Sequence, residues 1–328
     1  MNGNKVKIAL VGTGGWGRQH ARIFSSRPDI DFCAVVGRSK DRAAARAEEY
    51  GVNSYTDIDE MLDKENPDLV SMCLPNQGHF GPTLQVIQAG FPVLVEKPLV
   101  FDLNEAEILL NEAKERDLFF AINFNHRYAK PVRLAYDAIK SGRLGDVIFA
   151  TWRFGGEGSS DHPHANLIET QCHGFDMLEH LCGPIDWISA EMTNKTNKGL
   201  TTLALSLKFR NDAVGSLVGS YDTSYAYPDT HRVEVSGTSG RVVISDTVRS
   251  YTFHRTGEEL GETWQSGYFN DIDREFHRTF DLHVDDLLAA FVKKLPPPIH
   301  ASAGRRALLL AQAAIESFEQ GRRVRVEE

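Results

Sequence analysis

The chain has 328 residues, of which 36 are Lys or Arg and 45 are Asp or Glu, so its formal net charge at pH 7 is −9. The length indicates about two domains. With 41% hydrophobic and 25% charged residues, the composition is that of an ordinary globular protein, which excludes intrinsic disorder, collagen-like repeats and disulfide scaffolds. Because the chain is acidic and has no run of five basic residues, no nucleic-acid or anionic-membrane partner is expected.

The cysteines are few and far apart, and none of them forms a CxxC pair. They are Cys33, Cys73, Cys172 and Cys182. The first two lie in apolar runs, which is typical of buried free thiols. The N-terminal sequence lacks the pattern of a secretory signal, and no apolar stretch approaches the length of a membrane span. We therefore expect a cytoplasmic protein with reduced cysteines.

The first 125 residues alternate short apolar runs with helical patterns, which is typical of parallel βαβ units. The expected strands are Lys7–Val11, Phe32–Val36, Leu69–Leu74, Pro92–Val95 and Leu118–Asn123. The expected helices are Trp16–Ser26, Ser39–Tyr50, Gly81–Ala89 and Asn104–Arg116. Near-continuous apolar strands indicate a sheet covered on both faces. Residues 1–125 are therefore predicted to form an α/β Rossmann domain with a doubly wound parallel sheet.

The pattern changes after this point, and residues 126–328 are predicted to form a second domain. Its expected helices are Pro131–Ser141, about Asn166–Leu181, about Phe276–Lys294 and Ser302–Gln320. Its expected strands are Val147–Phe154, a hairpin of LALSLKF and AVGSLVGSY, the period-two segments HRVEVSG, TSGRVVISD and SYTFHR, and a terminal RVRV. The pattern predicts an α+β domain with a large, mostly antiparallel open sheet, whose last helix is a candidate for packing back on the first domain.

Gly12-Thr13-Gly14-Gly15-Trp16-Gly17 is a GxGxxG motif that directly follows the first predicted strand and opens the first predicted helix. In this context the first glycine permits a tight turn, the second lets the backbone approach a pyrophosphate, and the third allows close helix–strand packing. The free N–H groups at the helix N-terminus would bind the phosphates. We therefore predict that these six residues bind a dinucleotide; the alternative is that the glycines only punctuate an ordinary βα turn.

The end of the second predicted strand indicates which dinucleotide is bound. NAD sites commonly carry Asp or Glu at this point, but here the sequence is Val36-Gly37-Arg38-Ser39-Lys40. Arg38 can stack on adenine and pair with a 2′-phosphate, and Ser39 and Lys40 can add hydrogen bonds. We expect NADP to be favoured over NAD. The alternative is NAD held through backbone contacts, with the two basic residues solvated and Ser39 capping the helix.

Two further segments carry chemistry: Glu96-Lys97-Pro98 after the fifth-strand pattern, and ETQCHGFD at residues 169–176 on the helix that opens the second domain. Together with GTGGWG, CLPNQGH, GRLGDV and the terminal AGRRALLLAQAAIES, they resemble the glucose–fructose oxidoreductase, inositol dehydrogenase and MocA family nearly end to end. The resemblance implies hydride transfer between NAD(P) and a hydroxyl carbon, usually of a sugar, sugar derivative or cyclitol. It also implies a homodimer or homotetramer formed through the C-terminal sheet.

The resemblance assigns roles by motif match. Lys97 is the catalytic lysine, His173 is the general acid/base, and Glu169 stands where many members have Asp and is expected to orient the substrate. Further cofactor contacts are expected from Leu74, Pro75, Asn76, His79, Glu96, Lys97, Asn125 and Arg127. Substrate contacts are expected from Lys97, Glu169 and His173. Apart from the motif matches, Tyr128, Trp152, Arg153 and His164 are also expected to contact the substrate, because their side chains are of types that bind sugar hydroxyls or rings.

Elementary chemistry supports these roles. Oxidising an alcohol requires a base for the hydroxyl proton, and histidine is suited to this because its unperturbed pKa is near neutrality. A lysine beside the hydroxyl stabilises the developing alkoxide charge. Positions 169, 173 and 176 are spaced i, i+4 and i+7, so they would share one helix face. For Asp176 we favour a structural hydrogen bond within the protein.

Purely structural interpretations of some of these residues also stay open. Trp152 is equally consistent with sheet core, Lys97 with a surface lysine, and His173 with a core histidine. The loop Asp161-His162-Pro163-His164 is rich in metal-ligand types, but its spacing matches no recognised zinc pattern, so no metal site is predicted.

Two other functions are also compatible with the motifs. One is redox-neutral glycoside cleavage or sugar–sugar oxidoreduction with retained NAD(H). The other is a non-enzymatic regulator that senses a nucleotide, against which the presence of both Lys97 and His173 argues. The sequence does not identify the sugar, the carbon that reacts or the physiological direction.

Overall fold

The computed structural model describes residues 5–158, 161–267 and 275–327. The chain divides into two compact units, one of Met1–Phe124 with Phe280–Arg305 and one of Asn125–Thr279 with Arg306–Glu328. The first boundary lies beside the predicted one. The second unit is not continuous in sequence, however, because residues 280–305 of the predicted second domain belong to the first unit.

The first unit is built on a six-stranded parallel sheet with helices between the strands. Its strands are β1 (Val6–Val11), β2 (Ile30–Val36), β3 (Asn53–Tyr55), β4 (Leu69–Met72), β5 (Val93–Val95) and β6 (Phe120–Ile122). Its helices are α1 (Gly15–Ser26), α2 (Lys40–Tyr50), α3 (Ile58–Glu65), α4 (Phe80–Gln88) and α5 (Leu103–Glu115). The strand order β3-β2-β1-β4-β5-β6 confirms the predicted doubly wound fold. The chain reverses its winding direction between β1 and β4, and ligands bind at the carboxyl ends of strands at such a point.

Local sequence explains why these elements form where they do. All residues of β4, β5 and β6 are buried, as expected for parallel strands covered on both faces. Asp102 caps the start of helix α5, because its carboxylate accepts the N–H groups of Asn104 and Glu105.

No helix or strand is predicted between Tyr50 and Leu69, where the structure has β3 and α3. Helix α3 begins at Asp57, whose carboxylate accepts the N–H of Glu60 at 2.8 Å. An acidic cap followed three residues later by Glu is a capping signal that could have predicted this helix. The sequence of α3, IDEMLDKE, is mostly charged, so its few apolar residues do not form a recognisable helical pattern.

The second unit is built on a nine-stranded sheet. Its strands are β7 (Val147–Gly155), β8 (Ile185–Thr193), β9 (Thr202–Phe209), β10 (Val214–Ser220), β11 (His231–Gly237), β12 (Gly240–Ser245), β13 (Ser250–Arg255), β14 (Gly261–Gln265) and β15 (Val324–Arg325). They are ordered β14-β13-β12-β11-β7-β10-β9-β8-β15. Strands β7 and β10 pair in parallel and the other neighbours pair antiparallel. The predicted mostly antiparallel sheet is confirmed.

Helices α6 (Lys130–Lys140) and α7 (Cys172–Cys182) also belong to the second unit. Helix α7 packs closely on the sheet: a Cβ at Gly174 would lie 2.6 Å from the indole nitrogen of Trp152. The predicted single helix of about Asn166–Leu181 was wrong, because the structure has a π-helical turn at Asn166–Thr170 and a separate α7. The break follows from the N–H of Gln171, which donates to the carbonyl of Asn166 five residues earlier.

Two helices near the C-terminus complete the chain. They are α8 (Arg278–Val292), which belongs to the first unit from Phe280 onward, and α9 (Ser302–Gln320), which belongs to the second unit from Arg306 onward. Within the described ranges, no helix is both long enough and apolar enough to cross a membrane.

Candidate active site

The turn between β1 and α1 has the backbone that a phosphate-binding turn needs. Gly12 has φ +131, and a Cβ there would lie 2.0 Å from the carbonyl oxygen of Cys73. A Cβ at Gly17 would lie 2.3 Å from the carbonyl oxygen of Gly12. These two positions therefore require glycine for the packing of α1 on the sheet. Gly14 and Gly15 differ, since a Cβ at either would meet no protein atom within 4 Å.

The open space beside Gly14 and Gly15 is a cleft of about 1150 Å³ in the first unit. It is lined by ten predicted cofactor residues. Seven follow β1 or β2, namely Gly12, Thr13, Gly14, Gly15, Trp16, Arg38 and Ser39, and three follow β4, namely Leu74, Pro75 and Asn76. Gly14, the N-cap of α1, makes no side-chain cap hydrogen bond, and the N-terminus of a helix attracts anionic groups. The shape and donors of the cleft fit a dinucleotide.

The end of this cleft that follows β2 is basic. Arg38, Ser39 and Arg42 line it, and no Asp or Glu is among the described residues that do so. The Ser39 hydroxyl also accepts the N–H of Arg42 at 3.5 Å and so caps α2. Arg42 was not among the predicted residues, although its position four residues after Arg38, in the first turn of a predicted helix, could have indicated it. Thr56 and Ile58 of the cleft wall were not predicted either, because β3 and α3 were not.

Three other predicted cofactor residues of the first unit, Gly17, His79 and Glu96, are buried and are not among the residues that line the cleft. The ring of His79 donates from Nε2 to the carbonyl of Leu74 at 2.9 Å, and burial lowers its pKa. Glu96 is 3% exposed. Both side chains are therefore placed to support the turns that follow β4 and β5.

Lys97 is partly buried and directly follows Glu96 after β5. One oxygen of Glu96 accepts hydrogen bonds from His20 Nε2 at 2.8 Å and from Asn123 Nδ2 at 2.6 Å. Its other oxygen accepts the backbone N–H of Lys97 at 3.3 Å. The predicted catalytic lysine thus stands on a backbone anchored by a buried carboxylate.

Among the described residues, His20, Cys73 and Glu96 form a group of possible metal ligands, with donor atoms within 4.8 Å of one another. The loop histidines His162 and His164 are not in this group. Within the group, His20 Nδ1 contacts the Ser71 hydroxyl at 2.9 Å and its Nε2 contacts Glu96. Both ring nitrogens of His20 therefore have protein partners.

In the second unit, His173 lies buried in α7. Its ring is stacked on that of His126, with ring centroids 3.9 Å apart and planes 7° apart. Trp152, Phe154 and Phe276 surround the ring of His126. Such packing fixes the orientation of both imidazoles. Sequence reasoning missed His126, although it lies between the predicted residues Asn125 and Arg127.

Those two predicted cofactor residues make contacts inside the second unit. Arg127 donates to both oxygens of Asp176, from Nε at 2.8 Å and from Nη2 at 2.5 Å, and Asn125 Nδ2 donates to Thr279 at 2.7 Å. Burial raises the pKa of the Asp176 carboxyl, and the guanidinium of Arg127 opposes that shift. The bidentate ion pair ties the turn at Asn125–Tyr128 to α7, beside His173.

The predicted substrate residues of this unit are not all brought together. Trp152 is fully buried, while its neighbour Arg153 points to the opposite face of β7, where it pairs with Asp229 at 2.8 Å. This follows from the two-residue period of a strand. Tyr128 is buried beneath the guanidinium of Arg133, which lies 5.0 Å from its ring centroid.

Glu169 lies buried in the π-helical turn, and His164 is partly buried just before it. Because the helix is interrupted at Gln171, Glu169 lies outside α7, which contains His173 and Asp176. Of the loop GGEGSSDHPH, residues 159 and 160 lie outside the described residues.

Comparison with known proteins agrees with this architecture. Residues 6–124 match the oxidoreductase family with an NAD-binding Rossmann fold, and residues 137–326 match the C-terminal α/β domain of the same family. The fold and the cleft therefore define an NAD-binding oxidoreductase with a Rossmann domain and an α/β domain. The chain belongs to the Gfo/Idh/MocA family.

Individual relatives resemble the chain over different lengths. A myo-inositol 2-dehydrogenase of Thermotoga maritima is 26% identical, covering 98% of this chain and 99% of the relative. A D-glucoside 3-dehydrogenase of Escherichia coli is 31% identical but covers 47% of this chain and 44% of the relative. The solved structure of a levoglucosan dehydrogenase with NADH and L-sorbose shares the fold, with a TM-score of 0.89 and 18% identity over 99% of this chain and all of that one.

Proposed function

We propose that this protein is an NAD(P)-dependent dehydrogenase or reductase that acts on a hydroxyl carbon of a sugar, a sugar derivative or a cyclitol. The observation that carries the proposal is the cleft over Gly14 and Gly15, whose size, open glycines and basic lining fit a dinucleotide. The name of the full-length relative, an inositol dehydrogenase, supports a polyhydroxylated substrate. The glucoside dehydrogenase, which aligns over about half of the chain, supports the same class.

In the proposed chemistry, His173 and Lys97 have separate roles. When bound, the nicotinamide dinucleotide accepts or supplies a hydride at the reacting carbon. In the oxidative direction His173 accepts the proton of the substrate hydroxyl, and Lys97 stabilises the negative charge that develops on its oxygen. Glu169 accepts hydrogen bonds from neighbouring hydroxyls and so orients the substrate. In the reductive direction His173 returns the proton.

We further propose that NADP is favoured over NAD. Arg38 and Arg42 line the adenosine end of the cleft, and no carboxylate among the described lining residues is available for a ribose 2′-hydroxyl. A guanidinium pair suits a 2′-phosphate, because arginine binds phosphate oxygens in a bidentate manner. The Ser39 hydroxyl supplies a further hydrogen-bonding group.

A second copy of this chain is the proposed partner, held through the sheet of the second unit. Along β10 the side chains of Val214 and Val218 are 51% and 39% exposed, while Leu217 between them is fully buried. The buried side of this strand faces the core, so its other side presents apolar surface for association. Light scattering of the purified protein that gives the mass of one chain would contradict this arrangement.

A substrate panel tests the proposed activity. Purified protein is assayed with sugars, sugar acids, glycosides and inositols, each with NAD and with NADP, and nicotinamide absorbance is followed. We expect turnover with at least one polyol class and a higher kcat/KM with NADP. Cofactor binding without turnover across the panel would contradict a dehydrogenase. Product formation with retained NAD(H) and no net absorbance change would instead indicate a redox-neutral reaction.

A further inference from the structure

A chain of hydrogen bonds runs through the interior of the first unit. It links Ser71 to His20, His20 to Glu96, Glu96 to Asn123, and Asn123 to His283. The four contacts measure 2.9, 2.8, 2.6 and 2.7 Å, and all five residues are buried. These side chains come from α1, from strands β4 to β6 or the residues just after them, and from α8. The network therefore joins the helix that opens at the glycine turn to the segment that carries Lys97.

Glu96 is the centre of this network. It is 3% exposed and His20 is 1% exposed, so water cannot replace the contacts that either of them loses. Burial disfavours charge on both groups, yet their contact holds the pKa of Glu96 below its ordinary value, and the neighbours Cys73 and Glu96 raise the pKa of His20 to about 10. The carboxylate is thus held as an anion with a defined orientation.

The consequence for Lys97 comes through the backbone. The second oxygen of Glu96 accepts the N–H of Lys97, while the N–H of Glu96 itself donates to the carbonyl of Met72 at 2.9 Å. These two hydrogen bonds therefore fix the backbone from which the Lys97 side chain extends. A metal ion held by His20, Cys73 and Glu96 would have to displace the partners that His20 and Glu96 already have, so the contacts favour a positioning role over metal binding.

We propose that the His20–Glu96–Asn123 network is a positioning device for Lys97, which fixes the backbone at residues 96 and 97 so that the lysine ammonium is held for catalysis. None of the three residues lies among the described residues that line the dinucleotide cleft. The network therefore acts through Lys97. This inference rests on the proposed catalytic role of Lys97.

A double-mutant cycle in the full-length protein tests it. Glu96→Gln keeps the shape of the side chain but removes the charge that binds His20 and the Lys97 amide, and we expect kcat to fall about tenfold or more, with the dissociation constant for NADP within about twofold of wild type. In a Lys97→Met background the same substitution should lower the residual rate less than about twofold, because the residue through which it acts is gone. Asn123→Ser, which removes one of the contacts to Glu96, should show the same pattern with a smaller loss and serves if Glu96→Gln does not fold.

The control and the contrary outcomes separate the two claims. Glu65→Gln also removes a buried carboxylate of the first unit, one that binds Asn53 and Tyr55, and should keep wild-type kcat. Equal fold-losses from Glu96→Gln in the wild-type and Lys97→Met backgrounds would overturn the inference and leave the proposed function standing. If Lys97→Met itself turned over normally, the proposed function would fail. If the residual rate of Lys97→Met is below detection, NADP binding by Glu96→Gln is the deciding measurement. A fold-rise in its dissociation constant for NADP as large as its fold-loss in kcat would overturn the positioning role.

Discussion

Individual residues divide into those that a motif can predict and those that need the fold. The glycine turn was predictable because each position has a local backbone or packing reason, and the structure places Gly12 and Gly17 against Cys73 and against each other as expected. The stacking of His126 on His173 was not predictable, because it joins a turn to a helix 47 positions further along the chain. Such a contact is set by tertiary packing, for which a short motif carries no information.

Arg38 and Arg42 should determine the preference for NADP. Replacing both with Ala is expected to weaken NADP binding about 10- to 100-fold, because one or two charge-assisted hydrogen bonds to the 2′-phosphate are lost, whereas NAD binding should change little. Dissociation constants for both dinucleotides, measured by titration, give the comparison. Lys40→Ala is the matched control, since this basic neighbour is not among the lining residues. Equal losses for NADP and NAD would contradict the assignment.

His231 should make the protein sensitive to acid. Burial is the main cause that lowers its pKa from 6.5 to about 4, and its Nδ1 contacts the Thr247 hydroxyl at 2.8 Å. Below pH 6.5 the imidazole of His231 binds a proton in the unfolded chain but not in the folded chain. The free energy of unfolding therefore falls as the pH falls toward the pKa of His231 in the folded chain. Between pH 6.5 and about pH 5 this group should lower the free energy of unfolding by about 2 kcal/mol.

The measurement is urea denaturation of wild type and His231→Gln at both ends of this pH range. The variant should lose about 2 kcal/mol less than wild type on acidification, whatever its stability at neutral pH. Parallel losses in the two proteins would show that His231 is not buried in its neutral form.

At the scale of elements, apolar periodicity predicted most helices and strands, and it failed where side-chain hydrogen bonds decide the backbone. Ser302–Gln320 was predicted at its observed bounds because its apolar face is long and regular. The π-helical turn before α7 was missed because Gln171 acts through tertiary partners. Its amide accepts from Trp152 at 2.8 Å and donates to Asn166 at 3.0 Å. A helical pattern in the sequence continues straight through this point.

Gln171→Leu should therefore destabilise the second unit. The substitution leaves the indole N–H of Trp152 and the amide oxygen of Asn166 without their partner in the interior, which costs about 2 to 4 kcal/mol of unfolding free energy for two such groups. Chemical denaturation followed by tryptophan fluorescence measures the loss. Gln85→Leu, at a glutamine whose amide bonds the exposed side chain of Asp59, is the control and should change stability by less than about 0.5 kcal/mol. A similar small change for Gln171→Leu would contradict this account of the turn.

At the scale of the whole molecule, the sequence predicted both architectures, a doubly wound parallel sheet and a mostly antiparallel sheet. It did not predict that residues 280–305 belong to the first unit, because an amphipathic helix shows that it has an apolar face but not which core buries that face. The family membership makes the chain an NAD-binding oxidoreductase. The substrate depends on side chains from several loops, whose combined shape no single motif specifies.

The central claim is that turnover requires the Lys97 ammonium, whereas NADP still binds when that group is removed. The most direct measurement is the kcat of Lys97→Met on a substrate from the panel, with the dissociation constant for NADP determined on the same preparation. Lys64→Met, at an exposed lysine of the same unit that pairs with Glu60, is the control and should keep wild-type turnover. The account predicts that Lys97→Met binds NADP within about twofold of wild type and loses about 10²- to 10³-fold or more in kcat. Near-normal turnover by this variant would contradict it.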